Sequence, residues 1–376
     1  MADSKTVLIL GGGVGGLVAA NTLRKLLPKK DRIIVIDREE DHLFQPSLLW
    51  VMIGNRRPEK ISRPLARLNR KGIEFVRGEI EKINPEEKTV SVFGQTLKGD
   101  ALVISVGVEL AADSIPGLAE SGQTFYTLEG AQAIREELVR FNGGRISILT
   151  AAPMYKCPAA PYEAAMLIEY DCRRRDIRQK VQIDLYAAEL APMGTAGPEV
   201  SAAVRQMVES RGIQYHPNHQ VTKVDPKTRQ ISFADGTSAD YDLLLFVPPH
   251  RPPKVVMEAG LVGETGWVSV NRQTLETRFK NIYTIGDVTA IPLKMGKPLP
   301  KAGVFAEVQA KVVAHNLARN WTGKGKTESF NGFGECFIEI GDHRAGMGSG
   351  TFLCGTPSAG KNQTARHSLA LGKSSF

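Results

Sequence analysis

Two apolar strands in this chain each run into a turn that opens a helix, and only the first turn is built of glycine. Thr6-Val7-Leu8-Ile9-Leu10 reads as a buried parallel strand, and Gly11, Gly13 and Gly16 follow it at G-x-G-x-x-G spacing. A dinucleotide loop needs such glycines because its backbone must turn sharply, approach a pyrophosphate closely and let the next helix pack against the strand. The helix predicted from about residue 15 to 27 points its first amides at the phosphates. A second apolar strand, Ile33-Ile34-Val35-Ile36, ends in Asp37, about 20 residues past the loop, where an acidic side chain holds ribose hydroxyls. A purely structural glycine turn is the alternative, and the placement of strand and acid counts against it.

Near the middle, Arg145-Ile146-Ser147-Ile148-Leu149-Thr150 is a comparable strand, but it runs into Ala151-Ala152-Pro153-Met154-Tyr155-Lys156-Cys157-Pro158. A thiol therefore stands where a second dinucleotide loop would be. Towards the other end, Asn281-Ile282-Tyr283-Thr284-Ile285-Gly286-Asp287-Val288 is a strand ending in Gly-Asp. Alone it could be any strand-to-loop turn. Late in a chain that opens on a dinucleotide loop, it resembles the second FAD fingerprint of two-dinucleotide flavoproteins, in which the Asp contacts the ribityl chain. FAD is thus favoured over NAD at the first site.

Alternating strands and helices predict an α/β protein with two Rossmann-like, doubly wound domains and a short C-terminal region. We expect residues 1–113 to form the first part of an FAD-binding domain, including strands at 72–76, 88–92 and the buried run 101–107. Residues 114–255 form the second Rossmann-like domain, which lacks a glycine loop, carries Cys157 and leaves through the stiff Pro248-Pro249-His250-Arg251-Pro252-Pro253. Residues 256–325 complete the FAD domain with a helix from about 303 to 320, and residues 326–376 hold a strand pair with Cys336 and a polar tail.

At 376 residues there is room for two cores, and no apolar stretch approaches the roughly 18 residues of a membrane span. The first strand begins almost at once, so no secretory signal is read. The formal charge of +8 is modest and its lysines and arginines are scattered, which argues against nucleic acid. Arg173-Arg174-Arg175 reads as a solvated helix end, with anionic lipid as the alternative. Cys157, Cys172, Cys336 and Cys354 contain no C-x-x-C pair, which argues against a zinc site and a thioredoxin-type dithiol. Any functional pair has to be brought together by the fold.

These features together resemble the sulfide:quinone oxidoreductase family, over roughly residues 5 to 350. The elements that carry the resemblance are Lys156-Cys157-Pro158-Ala159-Ala160-Pro161-Tyr162-Glu163, the His250 segment, Leu299-Pro300-Lys301-Ala302-Gly303-Val304-Phe305-Ala306-Glu307 and Gly334-Glu335-Cys336-Phe337. The resemblance implies noncovalent FAD, with Gly11, Gly13, Gly16, Asp37, Gly107, Gly286, Asp287, Lys301 and Gly303 at the cofactor. It implies a redox-active disulfide between Cys157 and Cys336 on one face of the flavin. Sulfide would open it to a persulfide on Cys157, and Cys336, nearer the ring, would form the transient flavin adduct. Glu163 is the candidate acid/base, and Lys301 the cation beside the flavin's pyrimidine edge or the quinone. Phe305, Phe337 and Ile338 are candidates for an apolar quinone slot, with core packing as the alternative for each. Cys172 and Cys354 read as packed core residues.

Two departures matter. Family members often carry a third cysteine where this chain has Phe125-Tyr126-Thr127-Leu128-Glu129, and they usually end in an aromatic amphipathic segment, whereas residues 355–376 are rich in Ser, Gly and Thr without Trp. A shifted reading frame near Phe352 would produce such a tail. The expected partners are sulfide, a quinone and, weakly, a membrane surface; the protein is otherwise cytoplasmic, with homo-oligomerisation open. A sulfide dehydrogenase that passes electrons to a cytochrome, and a non-catalytic flavin-binding redox protein, are the competing readings.

Overall fold

A strand with no polar side has to be covered on both faces, and the chain solves this twice by the same plan. The computed structural model describes residues 3–353. Its first parallel sheet has the order Ile282–Thr284, Ala101–Ile104, Thr6–Leu10, Arg32–Asp37, Glu74–Arg77. Alternate residues of the Thr6–Leu10 strand serve opposite faces. Val7 and Ile9 pack against the helices Val14–Leu26 and Gly303–Thr322, while Leu8 and Leu10 join Ile83, Val90 and Val92 of an antiparallel meander. That meander pairs Ile80–Asn84, Thr89–Val92 and Gln95–Lys98.

The second parallel sheet has the order Gln214–His216, Val181–Ala187, Gly144–Thr150, Leu243–Val247. Helices Ala160–Arg174 and Pro198–Glu209 cover one face. A meander of Val221–Asp225, Gln230–Phe233 and Ser238–Asp240 covers the other, packing Val224, Ile231 and Phe233 against Leu149 and Phe246. Two Rossmann-like cores, each with helices on one side and a meander on the other, make up the α/β architecture.

Three details differ from the sequence reading. The buried run expected over 101–107 is a strand only at Ala101–Ile104; the other two expected strands form, Glu74–Arg77 at the edge of the parallel sheet and Thr89–Val92 central in the meander. The strand before Gly286 stops at Thr284, and residues Gly286–Val288 form a short 3-10 turn. The proline-flanked exit is itself paired, His250–Arg251 running antiparallel to Glu109–Leu110. Prolines on either side confine that pairing to two residues, since they donate no ladder hydrogen bond.

The C-terminal hairpin, Phe333–Glu339 with Ala345–Thr351, packs against helices Gly303–Thr322 and Ala160–Arg174. The expectations for Cys354 and the polar tail fall outside the described residues. Among the described residues no helix is long and apolar enough to cross a membrane.

Candidate active site

The glycine turn sits at the carboxyl end of the first sheet, where α/β ligand sites form. Gly11 has φ of +103°, and a Cβ there would strike the backbone carbonyl of Ser105. A Cβ on Gly16 would run into the carbonyl oxygen of Gly11, so the helix can approach its strand only through glycine. Gly13, by contrast, caps the helix Val14–Leu26 and has nothing within 4 Å of its would-be Cβ. Gly107, with φ of +68° beyond the strand Ala101–Ile104, is likewise open. Gly303 begins the long helix with its Cβ position 3.8 Å from Val14 Cγ2, which sets two helix N-termini side by side. Their positive ends, with the open space over Gly13, fit a pyrophosphate. Asp37 accepts the Gly12 N–H and, at 2.8 Å, the Glu39 N–H, so the acid is tied to its own loop. His42 Nδ1 lies 3.0 Å from the Gly12 carbonyl.

Gly286, at φ +74°, donates its N–H to Gln309 Oε1 at 2.7 Å, which ties the Gly286-Asp287 turn to the long helix. Burial pushes the Asp287 carboxyl up, and Lys156 and Lys301 oppose that shift. Lys301 is buried, and its ammonium donates to the carbonyls of Asp287 and, at 3.0 Å, Thr289, while lying 3.6 Å from the Trp267 ring centre. Burial lowers its pKa to about 8. The sequence reading aimed this cation at a cofactor edge; its hydrogen bonds go to backbone.

The backbone of Lys301 has a second task. Its carbonyl accepts the Cys157 N–H at 2.6 Å, and this joins the cysteine loop of the second sheet to the loop after Asp287. Cys157 itself has φ of +49°, a left-handed conformation that a non-glycine residue holds only when its surroundings impose it. The Tyr126 hydroxyl donates to the carbonyls of Lys156, at 2.7 Å, and Cys157, at 3.3 Å. Burial raises the Cys157 thiol well above its ordinary value, with negative charge on Glu163 and Cys336 adding to the rise.

Cys336 arrives from the far end of the chain, in the hairpin strand Phe333–Glu339. Burial, helped by Glu163, pushes its thiol up to about 11. Glu163 lies in the first turn of the helix Ala160–Arg174 and accepts the Glu339 N–H at 2.9 Å, holding the hairpin against that helix. Glu163 thus ties the helix that follows the Cys157 loop to the hairpin that carries Cys336, and both cysteines are free thiols.

Burial raises Glu163 from 4.5 to about 7, and the Glu339 N–H partly offsets this. A carboxyl raised on folding contributes stability that is complete below pH about 4.5 and is lost as the pH rises through about 7. The change is on the order of 3 kcal/mol. Glu163→Gln, neutral throughout, is expected to flatten that decline when urea unfolding is compared at about pH 5 and about pH 8; an unchanged slope would remove Glu163 as its source.

Three neighbours are read in the sequence only as members of longer segments. Tyr126 holds the cysteine loop through its hydroxyl. Lys156 donates to Gln45 Oε1 at 2.9 Å and lies 5.6 Å from the Tyr126 ring centre. The His250 Nδ1 donates to the Pro248 carbonyl at 2.8 Å, and burial lowers its pKa to about 4, with Lys156 and Lys301 adding to that effect. Of the slot candidates, Phe305 and Ile338 are in the core, and Phe337 is 56% exposed.

The sequence profile of the family described as pyridine nucleotide-disulphide oxidoreductase matches residues 5–310. The chain is 31% identical to the sulfide-quinone reductase of Aquifex aeolicus over 333 residues, 84% of this chain and 77% of that one. It is 26% identical to the mitochondrial sulfide:quinone oxidoreductase of Dictyostelium discoideum, over 88% of this chain and 74% of that protein. The crystal structure of the Aquifex aeolicus sulfide:quinone oxidoreductase superposes with a TM-score of 0.84 at 27% identity, covering 94% of this chain and 86% of that one.

Proposed function

The chain belongs to the pyridine nucleotide-disulphide oxidoreductases and, within them, to the sulfide:quinone oxidoreductases, an FAD-dependent enzyme family, and on that premise we propose that it oxidises sulfide through Cys157 and Cys336 and reduces a membrane quinone. The observation that carries this reading is the hydrogen bond from the Glu339 N–H to Glu163, which ties the helix that opens just after Cys157 to the hairpin strand that carries Cys336. In the oxidised enzyme the two sulfurs are joined. Hydrosulfide attacks the Cys157 sulfur, the Cys157–Cys336 bond breaks, and Cys157 keeps the incoming sulfur as a persulfide while Cys336 leaves as a thiolate. A thiol with a pKa of about 11 is a poor leaving group unless a proton reaches it, and Glu163, at about 7 and bonded to the backbone of the same hairpin strand, is the candidate acid.

FAD, held noncovalently, would supply the two-electron relay between the cysteine sulfurs and the quinone. Gly11, Gly13, Gly16 and Asp37 would hold its phosphate and ribose end, and Gly107, Gly286, Asp287, Lys301 and Gly303 the flavin end. Lys301, tied to the carbonyls of Asp287 and Thr289, serves there by fixing the backbone that carries Cys157. On the hairpin, Phe337 and its cross-strand partner Met347 are both exposed on the face opposite to Cys336, which supports a membrane surface or apolar partner there.

The test is anaerobic. The yellow protein is expected to bleach when sulfide is added and to recover its colour with a water-soluble quinone, without any haem protein present. Flavin that stays yellow under excess sulfide would refute the reading.

A further inference from the structure

Both halves of the molecule place an acid at the carboxyl end of the second strand of their parallel sheet, and the two acids do different work. In the first half Asp37 receives an amide of the glycine loop. In the second, Glu189 lies two residues past the strand Val181–Ala187, where a dinucleotide fold would present an acid to a ribose. Three hydroxyls converge on it instead. Thr150 Oγ1, from the last residue of the first strand of that sheet, donates to Oε2 at 2.7 Å; Tyr162 donates to Oε1 at 2.8 Å; and Tyr155 donates to the same oxygen. All three donors are buried, Tyr162 and Thr150 completely.

Tyr155 is two residues before Cys157. The loop it anchors is held again at the Lys156 and Cys157 carbonyls by Tyr126 and at the Cys157 amide by Lys301. The segment that leads out of the sheet is held at its start by the Ala151 amide and carbonyl, and the bond from Tyr155 to Glu189 is the side-chain restraint next to the cysteine. We propose that Glu189 is a positioning residue: through Tyr155 it fixes the left-handed backbone of Cys157, so that the acid of a former ribose site now aims the thiol. The turnover part of this inference rests on the sulfide-oxidation reading; the positioning part does not.

The test uses the full-length, FAD-loaded protein, reduced and desalted under argon, in wild type, Glu189→Ala, Glu189→Gln and Tyr155→Phe. The rate of iodoacetamide labelling is read separately at Cys157 and Cys172 by peptide mass spectrometry, and sulfide turnover is measured alongside. In Glu189→Ala, Cys157 is expected to label about tenfold faster as the loop loosens and burial ceases to hold the thiol up. Cys172, buried on the helix Ala160–Arg174, should label at its wild-type rate. The kcat should fall roughly 100-fold, the scale of a displaced reacting group. Glu189→Gln, which keeps an acceptor oxygen, should recover part of both, and Tyr155→Phe should move both in the same direction by less. An unchanged Cys157 labelling rate in Glu189→Ala overturns the proposal, as does faster labelling of both cysteines together. Where Glu189→Ala does not fold, Tyr155→Phe decides by the same readings. If Cys157 labelling shifts as expected in a protein whose wild type is inert to sulfide, the positioning role stands and the substrate reading fails.

Discussion

Cys157→Ala and Cys336→Ala, each alone, are expected to slow sulfide-dependent bleaching of the flavin by at least about 1,000-fold, the scale on which removing a nucleophile acts. Either change leaves one sulfur with no partner, so hydrosulfide finds no S–S bond to open. The two variants should be nearly as slow as the double variant, because residues that act as one unit lose their joint effect at the first deletion. Both should remain folded and yellow, since Cys157 and Cys336 are only partly buried and neither lies in the glycine turn. Anaerobic stopped-flow with sulfide in excess checks this. Bleaching within tenfold of wild type in either variant would mean that sulfide reaches the flavin without the pair.

The second large effect concerns the cofactor. Gly16→Ala sets a Cβ against the Gly11 carbonyl, backbone against backbone, where neither side can yield. We expect it to cost about 3 kcal/mol or more of stability and to yield protein without flavin. Gly13→Ala separates the two consequences. Nothing lies within 4 Å of its Cβ, so the helix should form normally, yet the methyl enters the open space we assign to the pyrophosphate. Its expected phenotype is a folded protein with wild-type far-ultraviolet circular dichroism and little absorbance at the flavin band. A fully yellow Gly13→Ala protein would show that the phosphates lie elsewhere.

Much of the frame was legible because it depends on short-range pattern. The strand Thr6–Leu10, its glycine turn and the acid at Asp37 lie within one β-α-β unit, where spacing alone dictates geometry. The Pro158 to Glu163 stretch marks a helix start in the same way, with Pro161 in the first turn. What the sequence hides is long-range or depends on where a side chain turns. No spacing rule brings Cys336 to Glu163; the hydrogen bond from Glu339 to that carboxylate does. In sequence Lys301 reads as a cation beside the flavin edge or the quinone, and only the fold reveals that its ammonium donates to two carbonyls and lies over a tryptophan face. Glu189 carried no motif because its partners, Thr150, Tyr155 and Tyr162, are hydroxyl residues scattered over a strand, a loop and a helix.

The first sheet also sets an order of assembly. Its edge strand Ile282–Thr284 pairs with Ala101–Ile104, so a sheet begun at the sixth residue stays open until nearly three hundred have been made. All strands of the second sheet lie between Gly144–Thr150 and Leu243–Val247, and it can close earlier. During synthesis the N-terminal third must therefore wait with a fully apolar strand unpaired along one edge, the kind of surface that other chains recruit. A nascent chain arrested before residue 282 would display that edge for as long as the arrest lasts.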